Sequence, residues 1–173
     1  MNETLNTLKT RRSIRNFKSE MIPENILNQI IEAGTYAASG KNRQSAIIIA
    51  VTNPAVRDQL VKENAKILNT NKDPFYNAPV ILIVLANKDV PTYLYDGSLV
   101  LGNLMNAAWS LNIGSCWIHR AKEEFESAFG KELLKSLNIE GNYEGIGHLA
   151  LGYIADEIPQ PSKRKDNYVY FIK

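Results

Sequence analysis

Residues 96–112 read DGSLVLGNLMNAAWSLN, and this stretch decides what kind of fold the chain can adopt. Leu99, Leu101, Leu104, Ala107, Ala108 and Leu111 recur near helical spacing and leave almost no polar stripe. A helix that is apolar nearly all round belongs in a core or an interface. Short strand-like runs flank it, Val80 to Leu85 before and Gly114 to Ile118 after. Ala46 to Val51, closed by Asn53-Pro54, predicts a fully buried strand, and His148 to Ile154 another. Helices are expected between them. Asn2 would cap a short first one; Pro23 and Glu24 open a second carrying Ile26, Leu27, Ile30, Ile31 and Ala37. A third covers Ala55 to Leu68 with Val56, Leu60 and Ile67 inward, and Glu123 to Leu137 gives one helix or two around Gly130. Strands alternating with helices predict an α/β or α+β architecture. Tyr168 to Ile172 is a last apolar strand, whose pairing partner lies far back in the sequence or on another chain.

The 173 residues, 45% hydrophobic and 22% charged, suit one domain over 1–173, with no internal repeat and no linker of boundary length. The longest apolar runs, Ala46 to Val51 and Pro79 to Ala86, fall well short of the roughly 20 residues a spanning helix needs, so no membrane partner is expected. Met1 to Thr4 leads into no apolar run, which makes cytoplasm the expected compartment. A lone Cys116 excludes an internal disulfide, and a net charge of +2 is too weak to argue for nucleic acid.

Two basic clusters carry an anion argument. Thr10-Arg11-Arg12-Ser13-Ile14-Arg15-Asn16-Phe17 is too charged for a buried strand and reads as an extended surface segment. Alternation then puts Arg11, Ser13 and Arg15 on one side and Arg12 on the other. Two guanidiniums and a hydroxyl on one face suit a phosphate or an electron-rich heterocycle edge. Lys163, Arg164 and Lys165 sit on a proline-rich loop before the last strand, and both clusters could converge on one anion. Other chemistries find little support. Cys116-x-x-His119 is half a metal-site spacing with too few further ligands, so no metal is expected. Gly145 to Ala150 matches G-x-G-x-x-A but precedes a strand-like run instead of opening a helix, and no P-loop or nucleophile elbow occurs.

In order and spacing, Arg11 to Phe17, Ala38-Ser39-Gly40-Lys41-Asn42-Arg43-Gln44, Asn77-Ala78-Pro79, Gly114 to Ile118 and His148 to Tyr153 together resemble the flavin-dependent nitroreductase family, among its compact members. The resemblance implies an α+β fold with a central, mostly antiparallel sheet, and an intertwined homodimer exchanging C-terminal strands. It also implies FMN at each of two subunit-interface sites. Carried over by position, Arg11, Arg12 and Ser13 would lie near phosphate and ribityl, with Arg15 at the pyrimidine edge. Ala38, Ser39 and Gly40 would approach from the other subunit, and Asn42 and Gln44 match the family's amide pair. Trp117, Ile118 and His119 fall where a main-chain N–H meets the hydride-accepting nitrogen, while Arg164, with Lys163 or Lys165, would close on the phosphate. The implied activity is ping-pong hydride transfer from NADH or NADPH through FMN to a nitroaromatic, quinone or similar small acceptor, with no catalytic side chain. Dehalogenase or azoline-oxidase chemistry, or flavin binding without turnover, are the alternatives. This chain departs from the family pattern at Ser45-Ala46, where Pro-Trp is usual, at Ala38, often Pro, and at Ile118-His119, where larger members carry an acidic residue and Gly.

Overall fold

The structure, a computed structural model, describes residues 2–173. Among these residues six α-helices and four strands follow in the order α1 (Glu3–Thr10), α2 (Glu24–Thr35), β1 (Ala46–Val51), α3 (Pro54–Leu68), β2 (Val80–Asn87), α4 (Tyr93–Ser110), β3 (Gly114–Ile118), α5 (Ala121–Glu126), α6 (Ala128–Ser136) and β4 (Tyr143–Gly152), with a 3-10 turn at Gly40–Asn42 before β1. The strands form one sheet in the order β1-β2-β4-β3. Every neighbour is antiparallel, so the architecture is α+β.

Side chains alternate across a strand, and β2 supplies both faces of the core from one apolar run. Ile81, Ile83 and Leu85 point with Cys116, Ile118 and Ala150 toward Leu60 of α3 and Phe125 of α5. Val80, Leu82 and Val84 point with Leu149 and Leu151 toward Ile30 of α2 and Leu101 and Leu104 of α4. The apolar helix α4 is therefore core on one side, yet Leu94, Tyr95 and Leu99 are 47%, 72% and 50% exposed on the other.

Several sequence expectations shift. Helix α4 starts at Tyr93, because the Thr92 carbonyl already accepts the Asp96 N–H at 2.9 Å. Helix α2 ends at Thr35, before Ala37, where the N–H groups of Tyr36 and Ala37 turn back to Ala33 and Gly34. On α3 the inward row is Val56, Leu60 and the buried Asn64; Ile67 stays 36% exposed, since the turns that pack are the earlier ones. The 123–137 region breaks at Ser127, whose extended backbone (ψ 167) ends α5 and whose hydroxyl accepts the Gly130 N–H. Gly130 lies inside α6, where a Cβ would run into the Glu124 carbonyl of α5. The Gly145–Ala150 stretch is entirely β4, its Gly147 leaving room for the Trp117 indole, which a Cβ would approach to 2.5 Å. Finally, β1 is an edge strand: only Ile49 and Val51 are buried, because a single chain offers it β2 alone as a partner. Residues 168–172, expected as a strand, form none within the chain and are 63% to 103% exposed.

Candidate functional site

The arginine segment runs along the outer edge of the sheet beside β3. Ser13 bridges Ser115 in parallel, the Ile14 N–H donates to the Ser115 carbonyl at 2.9 Å, and Phe17 then pairs with Ile154 beyond β4. Ile14 and Phe17 are buried anchors, which holds the polar residues between them against the edge. Burial pushes the Cys116 thiol's pKa up, while the charges of Arg15 and Arg11 and the Ser13 hydroxyl act in the opposite direction. Arg12 folds away, its Nη1 donating to the Lys9 and Arg11 carbonyls at 2.9 and 2.7 Å at the end of α1. Arg11 Nη1 and Arg12 Nε are buried without a hydrogen-bond partner among the described residues. A buried cationic donor left unpaired is costly. An anion laid against Arg11 would remove that cost, and the donor set fits a phosphate. A small cavity of about 190 Å³ opens beside Ser13 and Arg15.

The second half of the site lies at the opposite edge. Residues 39–44 enter β1 through a tight loop in which Lys41, Asn42 and Gln44 all have positive φ (55°, 54° and 47°). Such conformations cost side-chain-bearing residues of order 1 kcal/mol each. The loop is clasped from below. Ser39 Oγ accepts the Gln44 N–H at 3.0 Å, and Gln44 Nε2 reaches Asn42 Oδ1 at 3.3 Å. Asp96 of α4 accepts from the Gly40 N–H at 3.0 Å, the Ser45 hydroxyl at 2.7 Å and the Thr92 hydroxyl at 3.1 Å. Burial alone would push the Asp96 carboxyl up, but these three donors outweigh it and hold its pKa below the usual carboxylate value. Ser45 and Asp96, both nearly inaccessible, form a polar floor beneath the loop. A cavity of about 400 Å³ adjoins this loop, between α2, α4 and the open edge of β1.

That clasp makes loop order pH-dependent with a definite sign. A carboxyl whose pKa is depressed on folding adds stability above its unfolded pKa, and the contribution is lost as pH falls through the folded value. Asp96→Ala should cost about 2 kcal/mol or more, because it strands the Gly40 N–H and Ser45 hydroxyl. Asp96→Asn should flatten the acid side of a Tm-against-pH curve measured from neutral pH downward. A wild-type curve that Asp96→Asn leaves unchanged would refute the clasp.

The third group follows β3. Trp117 is half-buried and packs toward α4, whereas Ile118 is buried among the α5-side residues and could serve a ligand only through its backbone. His119 is exposed and Arg120 adopts φ 76°. On the C-terminal loop, the contacts of Lys163, Arg164 and Lys165 stay within residues 162–168. Lys163 pairs with Asp166 at 3.4 Å, Arg164 donates to the Ser162 carbonyl, and Lys165 lies over the Tyr168 ring. One chain thus does not bring its two basic clusters together, because the exposed tail carrying the second has nothing to dock on.

Nor does it join the arginine edge to the 39–44 loop. The arginine segment lies outside β3 and the loop leads into β1 at the other edge, four strand spacings or roughly 19 Å away. The model of the nitroreductase family matches residues 8–153. The chain belongs to the nitroreductase family. An Archaeoglobus fulgidus relative, provisionally named NADH dehydrogenase/NAD(P)H nitroreductase, is 30% identical over 91% of this chain and 88% of its own. The FMN reductase [NAD(P)H] of Bacillus subtilis is 26% identical over 90% of this chain and 68% of its own. Among solved structures, a Bacteroides fragilis nitroreductase with bound FMN superposes with a TM-score of 0.90 at 28% identity, covering 100% of both chains. A Desulfitobacterium hafniense nitroreductase with bound FMN gives 0.87 at 27% identity, covering 99% of both. Among the described residues, no helix is long and apolar enough to cross a membrane. The residues that motif reading missed are Asp96, Asn64, Glu124 and His148. Asp96 was visible as a lone carboxylate opening an apolar helix, whereas the other three are distant in sequence and meet only in the fold.

Proposed function

We propose that this nitroreductase-family protein is a cytoplasmic, FMN-dependent oxidoreductase. It moves hydride from NADH or NADPH to a nitroaromatic, quinone or similar acceptor in ping-pong order, with one flavin-binding domain per chain. The observation that carries the reading is the separation of the two half-sites. A phosphate-suited arginine edge with an unpaired buried donor and a strained polar loop lie at opposite edges of one sheet, so two chains complete what one cannot. The likeness over the whole chain to an FMN-bound nitroreductase supports the choice of ligand. In a homodimer, Arg11 and Ser13 hold the phosphate end, Arg164 closes over it, and Ser39, Asn42 and Gln44 come from the partner. When bound, FMN supplies the redox chemistry, accepting hydride from the nicotinamide and passing it to the acceptor that replaces it. The purified protein should be yellow and should bleach on adding NADH or NADPH without oxygen, recovering its colour on adding an acceptor. Yellow protein that neither donor bleaches would show flavin binding without turnover.

Arg15 makes no ion pair among the described residues and is exposed beside the Ser13 cavity. Reduction of a flavin places negative charge at its pyrimidine side, and a fixed cation there favours the reduced form. Arg15→Ala should lower the potential of bound FMN. A charge-assisted hydrogen bond worth roughly 1.5 to 3 kcal/mol corresponds to roughly 30 to 60 mV for two electrons. An unchanged potential in flavin-loaded Arg15→Ala removes Arg15 from this role.

A further inference from the structure

Behind the exposed turn that follows β3 lies a polar cluster that the flavin site proposed above does not use. Asn64 on α3, Glu124 on α5 and His148 on β4 are each 0% exposed. His148 Nε2 stands 3.0 Å from Glu124 Oε2 but out of line for a hydrogen bond. Both ring nitrogens and Glu124 Oε1 are therefore buried without a hydrogen-bond partner among the described residues. The ring is wedged edge-on against Phe75, its centroid 5.2 Å away. Asn64 links this cluster to the turn. Its Nδ2 donates to Glu124 Oε2 at 3.0 Å and to the His119 carbonyl at 3.1 Å, and its Oδ1 accepts from Arg120 Nε at 2.9 Å.

A half-satisfied buried network is worse for stability than an apolar core of the same shape, so stability does not account for this one. What it does is grip the turn on both sides. Arg120, at φ 76°, holds a left-handed conformation that a residue with a Cβ resists. The front of the turn is free, because the main-chain N–H groups of His119 and Arg120 donate no hydrogen bond among the described residues. We infer that Asn64, held by the buried Glu124–His148 pair, is a positioning residue that sets the His119–Arg120 turn so that these free N–H groups meet the bound flavin. This assignment rests on the flavin reading above.

The test uses the full-length protein and FMN itself, reading Kd by fluorescence quenching, the visible bands and reduction potential of the bound flavin, and Tm. Asn64→Ala should raise the Kd about tenfold, the loss expected for one hydrogen bond of positioning, and shift the bands and the potential. Arg120→Gly added to Asn64→Ala should restore Kd, bands and potential, since glycine takes a positive φ freely, while Tm stays low because Glu124 and the His119 carbonyl still lack the Asn64 amide donor. Arg120→Ala and Arg120→Gly, which both lose the bond to Asn64 Oδ1 and share that cost, should also differ, with the alanine variant the more weakened in FMN binding. A cluster that merely supports the fold would move Tm and leave the flavin's bands and potential alone. Wild-type Kd, bands and potential in Asn64→Ala overturn the assignment; if that variant does not fold, the same result in Arg120→Ala does so. Failure of the wild-type chain to bind FMN would instead sink the flavin reading, and this assignment with it.

Discussion

Arg11→Ala should purify nearly colourless and recover its yellow colour only at high added FMN. The guanidinium is half-buried, with Nη1 sealed from solvent and unpaired. A phosphate bound at the accessible edge of this half-buried guanidinium gains a partly desolvated, charge-assisted contact. Truncating one partner of such a pair costs roughly 2 to 5 kcal/mol, and about 1.4 kcal/mol is tenfold, so the Kd should rise between about thirty-fold and a few thousand-fold. The apoprotein should respond in the opposite sense. Removing a buried donor that has no partner relieves a desolvation cost, so apo Arg11→Ala should melt no lower than the apo wild type. Arg164→Ala should weaken FMN in the same manner without that effect on Tm, since Arg164 is exposed. Titration of apoprotein with FMN, followed by fluorescence quenching and paired with apo melting curves, reads both signs. Equal FMN affinity in wild type and both variants would show the two arginines to be solvated bystanders.

Deleting residues 168–173 should abolish the dimer and the flavin together. Tyr168, Val169, Tyr170, Phe171 and Ile172 are 67%, 63%, 79%, 81% and 103% exposed. Burying an apolar side chain is worth roughly 1.5 to 3 kcal/mol, so leaving five in water forfeits a large share of a small protein's net stability. The chain also leaves β1 open as an edge and Leu94, Tyr95 and Leu99 of α4 uncovered. An apolar tail and an unpaired edge on the same molecule are an aggregation hazard unless a second copy uses both. If the arginine edge and the 39–44 loop meet only across two chains, as proposed, FMN should bind the dimer and not the separated chains. It must therefore stabilise the dimer by mass action. The truncated chain should sediment as monomer at micromolar concentration, with FMN occupancy falling in parallel. A yellow, active monomer on analytical ultracentrifugation would refute both the strand exchange and the shared site.

Much of the site was legible before folding was considered, and the reason lies in local rules. The alternation of an extended segment put Arg12 apart from Arg11, Ser13 and Arg15, and in the structure the Arg12 guanidinium turns back to the Lys9 and Arg11 carbonyls. The apolar α4 announced a helix with two sides to cover, and the structure leaves one of them bare. Boundaries read less well where a cap, not a hydrophobic period, sets them. Tyr93 joins α4 through the Thr92 carbonyl, and Ser127 divides α5 from α6 through its hydroxyl and extended backbone.

Periodicity, spacing and composition, then, determined the identity of the elements, the polarity of each face and the two basic clusters, because each depends on residues within a few positions of one another. Only the tertiary structure decided that the clusters stand apart, that β1 is an edge, and that Asp96 floors the 39–44 loop. The same holds for the meeting of Asn64, Glu124 and His148 behind the His119 turn. Those arrangements join residues 51 to 60 positions apart in the loop floor and at Asn64–Glu124. Such contacts form when sheet order and helix packing bring distant segments together, and a local pattern carries no trace of them.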